Sequence, residues 1–117
     1  MNDAITIKIY EVVGNVSCVA ADDGQEIYER SAAIIESGRN VVLSFVNVTR
    51  LTSAFLNTAI GQLYSKFTEQ QVRDHLKVVE MGADDLGLLK RVVDTAKSYF
   101  KDPRRFDRAR EEIVGSN

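Results

Sequence analysis

The chain has 117 residues, 44% of them hydrophobic and 27% charged, which is the size and make-up of one folded domain and argues against disorder over most of its length. With 15 Lys and Arg against 17 Asp and Glu, the net charge is −2, too near neutral to draw nucleic acid or anionic membrane as a general partner. The single cysteine, Cys18, excludes an internal disulfide and suits a reducing cytoplasm.

In chain order, Ile5-Thr6-Ile7-Lys8-Ile9-Tyr10 alternates with period two and reads as a half-buried strand. Gly14-Asn15 offers a turn, so Val16 to Ala20 is expected to return as the second strand of a hairpin, with Cys18 a small apolar strand residue. A helix then starts near Asp22, where Asp23 and Glu26 have capping-box spacing. It runs through Ile27, Ser31, Ile34 and Ile35 to Gly38, a natural stop. The β-branched run Val41 to Val46 reads as a buried strand, and the polar stretch Asn47 to Thr52 connects it to a second helix. In that helix Leu56, Ile60, Leu63 and Phe67 form a core face. Thr68 to Asp74 is polar and is expected to be a loop or a frayed helix end.

His75 to Met81 reads as a further core strand, opened by the only histidine. Gly82-Ala83-Asp84 turns into a helix from about Asp85 to Phe100, with Leu86, Leu89, Val93, Ala96 and Phe100 on its apolar stripe. Asp102-Pro103 restarts a helix over about 102–114, with Phe106, Ala109 and Ile113 on a thin apolar side. The expected order is β-β-α-β-α-β-α-α, an α/β fold in one domain over residues 1–117, with a sheet of about four strands containing parallel pairs. Asp3 and Lys8 interrupt any N-terminal apolar run, so no signal peptide is expected. No stretch approaches the ~20 apolar residues of a membrane helix.

Catalytic groupings are scarce. His75 has no Ser, Cys or acid beside it, and one His with one Cys falls short of a zinc site. The acid pairs Asp22-Asp23 and Asp84-Asp85 stand at helix starts, where capping explains them; a Mg²⁺ role is their alternative. Gly82 and Gly87 lack the spacing of a phosphate loop. From Lys90 onward the charges are of mixed sign, the pattern of a solvated helix face. The expectation is a non-enzymatic protein with no cofactor and no metal.

The segment Val41 to Gly61 carries the functional signal. Ser53 ends the loop and opens the helix, where free N–H groups and the helix dipole favour an anion. Two readings follow: Ser53 caps the helix, or it accepts a phosphate that the helix start stabilises. Ser53, Asn57 and Gly61 recur every fourth residue and form a small, polar ridge away from the core stripe. That ridge is either a partner surface or a place for close packing within the domain.

Val42-Leu43-Ser44-Phe45, Leu51-Thr52-Ser53-Ala54-Phe55-Leu56, Ile60-Gly61-Gln62-Leu63-Tyr64 and Asp85 to Val93 together resemble the STAS domain of bacterial anti-sigma-factor antagonists. The match is closer to the STAS-like domains of uncharacterised function, over roughly residues 5 to 100. The resemblance implies a STAS-like sheet with packed helices and a regulatory protein–protein interaction module with Ser53 as phospho-acceptor. It also implies a histidine-kinase-like ATPase of the anti-sigma type as partner. Thr49, Arg50, Thr52, Ser53, Asn57 and Gly61 are the expected partner-binding residues. Antagonists of the phospho-switch type carry Asp before the acceptor and this chain has Thr52; Ala54 follows in place of Ser. The alternatives are a constitutive assembly module that binds a partner or itself as a homodimer, or a weak nucleotide-binding module.

Overall fold

The computed structural model describes residues 4–101, so the helix expected over about 102–114 lies outside the described residues. In chain order the elements are β1 (Ala4–Lys8), α1 (Ile9–Val13), β2 (Ser17–Cys18), α2 (Ala21–Glu36), β3 (Asn40–Ser44) and β4 (Arg50–Leu51). There follow α3 (Ser53–Leu56), a π turn (Asn57–Gly61), α4 (Leu63–Lys66), α5 (Glu69–His75), β5 (Leu76–Val79) and α6 (Ala83–Lys101).

Every strand pair is parallel. The main sheet has the order β1-β3-β5, and β2 pairs with β4 in a separate two-stranded sheet. The expected single sheet of about four strands is therefore divided into three strands and two. In the main sheet the register sets Ile5 beside Val41 and Leu76, and Ile7 beside Leu43 and Val78. Alternation puts these rows on one face, where Ile7, Val41 and Leu43 are buried against helices, while Thr6, Lys8 and Lys77 are exposed on the other. The core continues into Ile27 and Ile35 of α2, Phe55 and Leu56 of α3, Ile60 of the π turn and Leu63 of α4.

The expected hairpin does not form. Ile9 and Tyr10 leave the strand for the one-turn helix α1, which ends where the Gly14 N–H donates to Tyr10 O (2.9 Å) with Gly14 at φ 77°. The chain thus emerges to pair β2 with β4 rather than with β1. The capping box expected at Asp23 and Glu26 is also absent, because α2 begins earlier, after Ala20, and Asp22 and Asp23 lie inside its first turn. There they complement the helix dipole. Its far end behaves as the glycine predicts: Arg39 N–H donates to Ile34 O (3.2 Å) and Gly38 N–H to Ile35 O (2.9 Å), closing a Schellman motif around Gly38 at φ 81°.

Residues Thr68 to Asp74, expected as a loop or frayed end, instead hold the cap and most of α5 (Glu69–His75), with a complete capping box between Thr68 and Gln71. His75 closes that helix instead of opening β5, and its Nδ1 lies 2.9 Å from Asn40 Oδ1. Helix α6 packs on α3, the π turn and α4 as an outer layer. Its most buried residues are Val92 and Ala96, so the expected stripe from Leu86 to Phe100 is turned partly outward.

Candidate functional site: the ledge at Ser53

The stretch expected as a plain connection is built. Asn47 adopts φ 64°, a left-handed conformation that Asn tolerates, and turns the chain out of β3. Thr49 N–H then donates to Val16 O (2.8 Å) and Thr52 N–H to Cys18 O (3.3 Å), so residues 49–52 are zipped along residues 16–19. Arg50 lies opposite Ser17, and Leu51 opposite Cys18. The result is a ledge of Val16, Val19, Thr49 and Arg50 that runs into the start of α3, each of these side chains being exposed.

Thr52, not Ser53, caps the helix. Thr52 has extended dihedrals and its Oγ1 accepts from the Phe55 N–H (3.2 Å), while its hydroxyl proton goes to Val19 O (2.9 Å). One side chain therefore ties both the helix start and the adjoining strand. Ser53 is the first helical residue and is exposed, and among the described residues no hydrogen bond uses its hydroxyl. The reading of Ser53 as the cap is thereby corrected: the cap position falls one residue earlier because Thr52 is the residue with non-helical backbone.

The ridge expected from Ser53 through Asn57 to Gly61 is broken. Ser53 and Asn57 are exposed, but Gly61 is buried under α6, where a Cβ would lie 3.6 Å from Ala96 Cβ and 3.7 Å from Val92 Cγ1. The cause is the π turn. Gln62 N–H donates to Asn57 O (3.0 Å), five residues back, so each residue advances less around the axis than in an α-helix. Thr58 O, which would take that N–H in an α-helix, accepts from Gln62 Nε2 (2.9 Å) instead. Gln25 Oε1 on α2 holds the same amide at 2.8 Å, and Thr58 Oγ1 donates to Ala54 O at 3.1 Å. Of the two readings of Gly61, close packing inside the domain is the one realised.

The electrostatics around the ledge are simple. Arg50 enters none of the ion pairs among the described residues, whereas Lys66, Lys90 and Lys97 are each paired with a carboxylate. Cys18 lies buried beneath the ledge, and burial, with the charge of Asp23 adding to it, pushes its thiol up to about 11. It is therefore a core residue and not an activated nucleophile. An open groove of about 900 Å³ between Tyr64–Gln71 and the end of α6 has its two lysines occupied, Lys66 by Glu36 (3.2 Å) and Lys97 by Glu69 (3.3 Å). Among the described residues no cluster of three or more His, Cys, Asp or Glu is arranged to hold a metal ion, and no helix is long and apolar enough to cross a membrane. Val16 and Val19 were not among the expected site residues. Their signal is weak, since Cys18 between them is buried and the segment reads as an ordinary strand.

Fold and site together define a small α/β domain that presents a mixed apolar and polar ledge at the start of a helix. A family model described as a STAS-like domain of unknown function matches residues 23–86, more than half of the 117-residue chain. The chain belongs to that STAS-like family. The matched span covers most of α2, all of the ledge from β4 into α3, and the start of α6. No curated protein and no solved structure matches the chain.

Proposed function

We propose that this domain is a non-enzymatic regulatory module that binds a protein partner through the ledge of Thr49, Arg50, Thr52, Ser53 and Asn57. Phosphorylation of Ser53 is its switch, and a histidine-kinase-like ATPase of the anti-sigma type is the partner suggested by likeness to the antagonists. The observation that carries the reading is the freedom of the Ser53 hydroxyl: it is exposed, and Thr52 already fills the cap. Thr52, which stands where antagonists of the phospho-switch type carry Asp, caps the helix and leaves the Ser53 hydroxyl out of that bond. A phosphate here would add ≈ −1.5 to −2 charges one residue inside a helix start, three positions after Arg50, which enters none of the ion pairs among the described residues. A cytoplasmic setting suits a lone buried thiol.

The test is intact-mass spectrometry of the chain isolated from its native host, with any phosphate mapped, followed by binding of Ser53→Ala and Ser53→Asp to the ATPases of that host. Phosphate on Ser53 and a partner lost with Ser53→Asp support the switch. An unmodified chain whose binding neither variant alters leaves the constitutive module in its place.

A further inference from the structure

An open pocket of about 470 Å³ lies between the π turn and the C-terminal half of α6, within the size range of small-molecule sites. The π turn shapes it. By turning inward, Gly61 supplies a floor without a side chain, where a Cβ would stand 3.6 Å from Ala96 Cβ and 3.8 Å from Asn57 Oδ1. Single π turns within helices are frequent at functional sites. From α6, Tyr99 and Phe100 line the pocket beside Ala96, their rings edge to face with centroids 4.9 Å apart. Two amides line it from the other element. Gln62 Nε2 donates both to Thr58 O (2.9 Å) and to Gln25 Oε1 (2.8 Å), which fixes the group and leaves its Oε1 as an acceptor unused among the described residues. The Asn57 side-chain amide likewise makes no hydrogen bond among the described residues. None of the described residues lining the pocket is ionised.

We propose that this pocket binds an uncharged, ring-sized small molecule with a donor–acceptor edge, such as a carboxamide, lactam or imide. The glycine floor, Ala96 and the aromatic pair cover the ring of the ligand. Gln62 Oε1 accepts from the ligand N–H, and the Asn57 amide donates to the ligand carbonyl, so both unused amides are satisfied by one planar edge. A phosphate or carboxylate does not suit the pocket: no cation lines it, and a charge buried without a partner is costly. Ser53 is not among the lining residues, so binding here does not depend on its phosphorylation.

Heteronuclear NMR of the nitrogen-labelled full chain, titrated in parallel with benzamide and with benzoate, tests it. Benzamide should shift the Gly61 backbone amide and the Gln62 side-chain amide saturably, with a Kd of about 1 mM. Benzoate should bind at least about tenfold more weakly. Asn57→Ala should weaken benzamide about fivefold, the loss of one hydrogen bond. Thr95→Trp, a change at the exposed rim, should abolish binding by filling the pocket, and its melting curve verifies that the fold is retained. These shifts are read without a protein partner, so they stand or fall apart from the Ser53 switch. No saturable shift up to about 10 mM overturns the proposal, the pocket then being filled by solvent or by the chain's own residues 102–117. Equal affinity for benzoate, or binding unchanged in Thr95→Trp, overturns it as well.

Discussion

Gly24→Ala is the substitution that most directly probes how the helix bearing the ledge is held. Gly24 is buried in α2, and a Cβ there would sit 2.6 Å from Phe55 O, 3.0 Å from Thr58 Cβ and 3.2 Å from Ala59 N. Two of the three are backbone atoms, which cannot rotate aside as a side-chain tip can. Alanine in a helix interior is worth about 1 kcal/mol over glycine, whereas overpacking a core costs roughly 1–3 kcal/mol. A clash against backbone belongs at the upper end, so the net expectation is a loss of about 2 kcal/mol. At about 4 °C per kcal/mol for a domain of this size, Tm falls by roughly 8 °C.

Urea unfolding followed by circular dichroism measures the change, with Gly87→Ala as the control. A Cβ at Gly87 meets only the Arg91 guanidinium, at 4.0 Å. That variant keeps the propensity gain and should be more stable than the parent by up to about 1 kcal/mol. The same chemical change then has opposite signs at two sites of one protein. A Gly24→Ala protein as stable as the parent would refute the close approach of α2 to the ledge helix.

Three further outcomes are expected. Thr52→Ala should cost about 1 kcal/mol in urea unfolding while Ser53→Ala stays within about 0.5 kcal/mol, because Thr52 makes the capping bond; equal losses would return the cap to Ser53. Ser31→Ala should stabilise the domain by about 1 kcal/mol, since the Ser31 hydroxyl is fully buried with no hydrogen-bond partner among the described residues and its desolvation is uncompensated; a loss of stability would mean the hydroxyl is satisfied. Raising the pH from 9.0 to about 11 should weaken the fold, because Cys18 is held neutral in the folded chain across that window while the unfolded thiol ionises from 9.0 upward. Its contribution is complete below 9.0 and lost as pH passes about 11, so a Cys18→Ala protein should show a flatter alkaline limb of stability against pH.

Several elements were legible in the residues. The run Val41 to Val46 contains the central strand, which ends at Ser44, Gly38 stops α2, and Leu56, Ile60 and Leu63 are core. The capping box of α5 was also written there, as Thr68 with Gln71, but the polar composition around it masked the signal. The candidate site was legible as a segment and not as a set of roles. A loop handing over to a helix at residues 52–53 can be seen in the sequence, yet which hydroxyl caps depends on backbone dihedrals that Val19 O helps to hold, 33 residues away from Thr52. Gly61 was misplaced because helical spacing assumes an α-helix throughout, and the π turn alters the rotation between Asn57 and Gly61.

Periodicity and capping act among residues a few positions apart, so the sequence by itself determined the α/β alternation, the central strand, the two long helices and membership of the STAS-like family. Pairing and coverage act between residues far apart in the chain. Only the tertiary structure joined β2 to β4, divided the sheet, passed the cap to Thr52, buried Gly61 and left Leu86 and Phe100 facing outward. A two-residue strand or one edge of an amphipathic helix carries no local mark of its partner. What covers it is decided by where the rest of the chain packs.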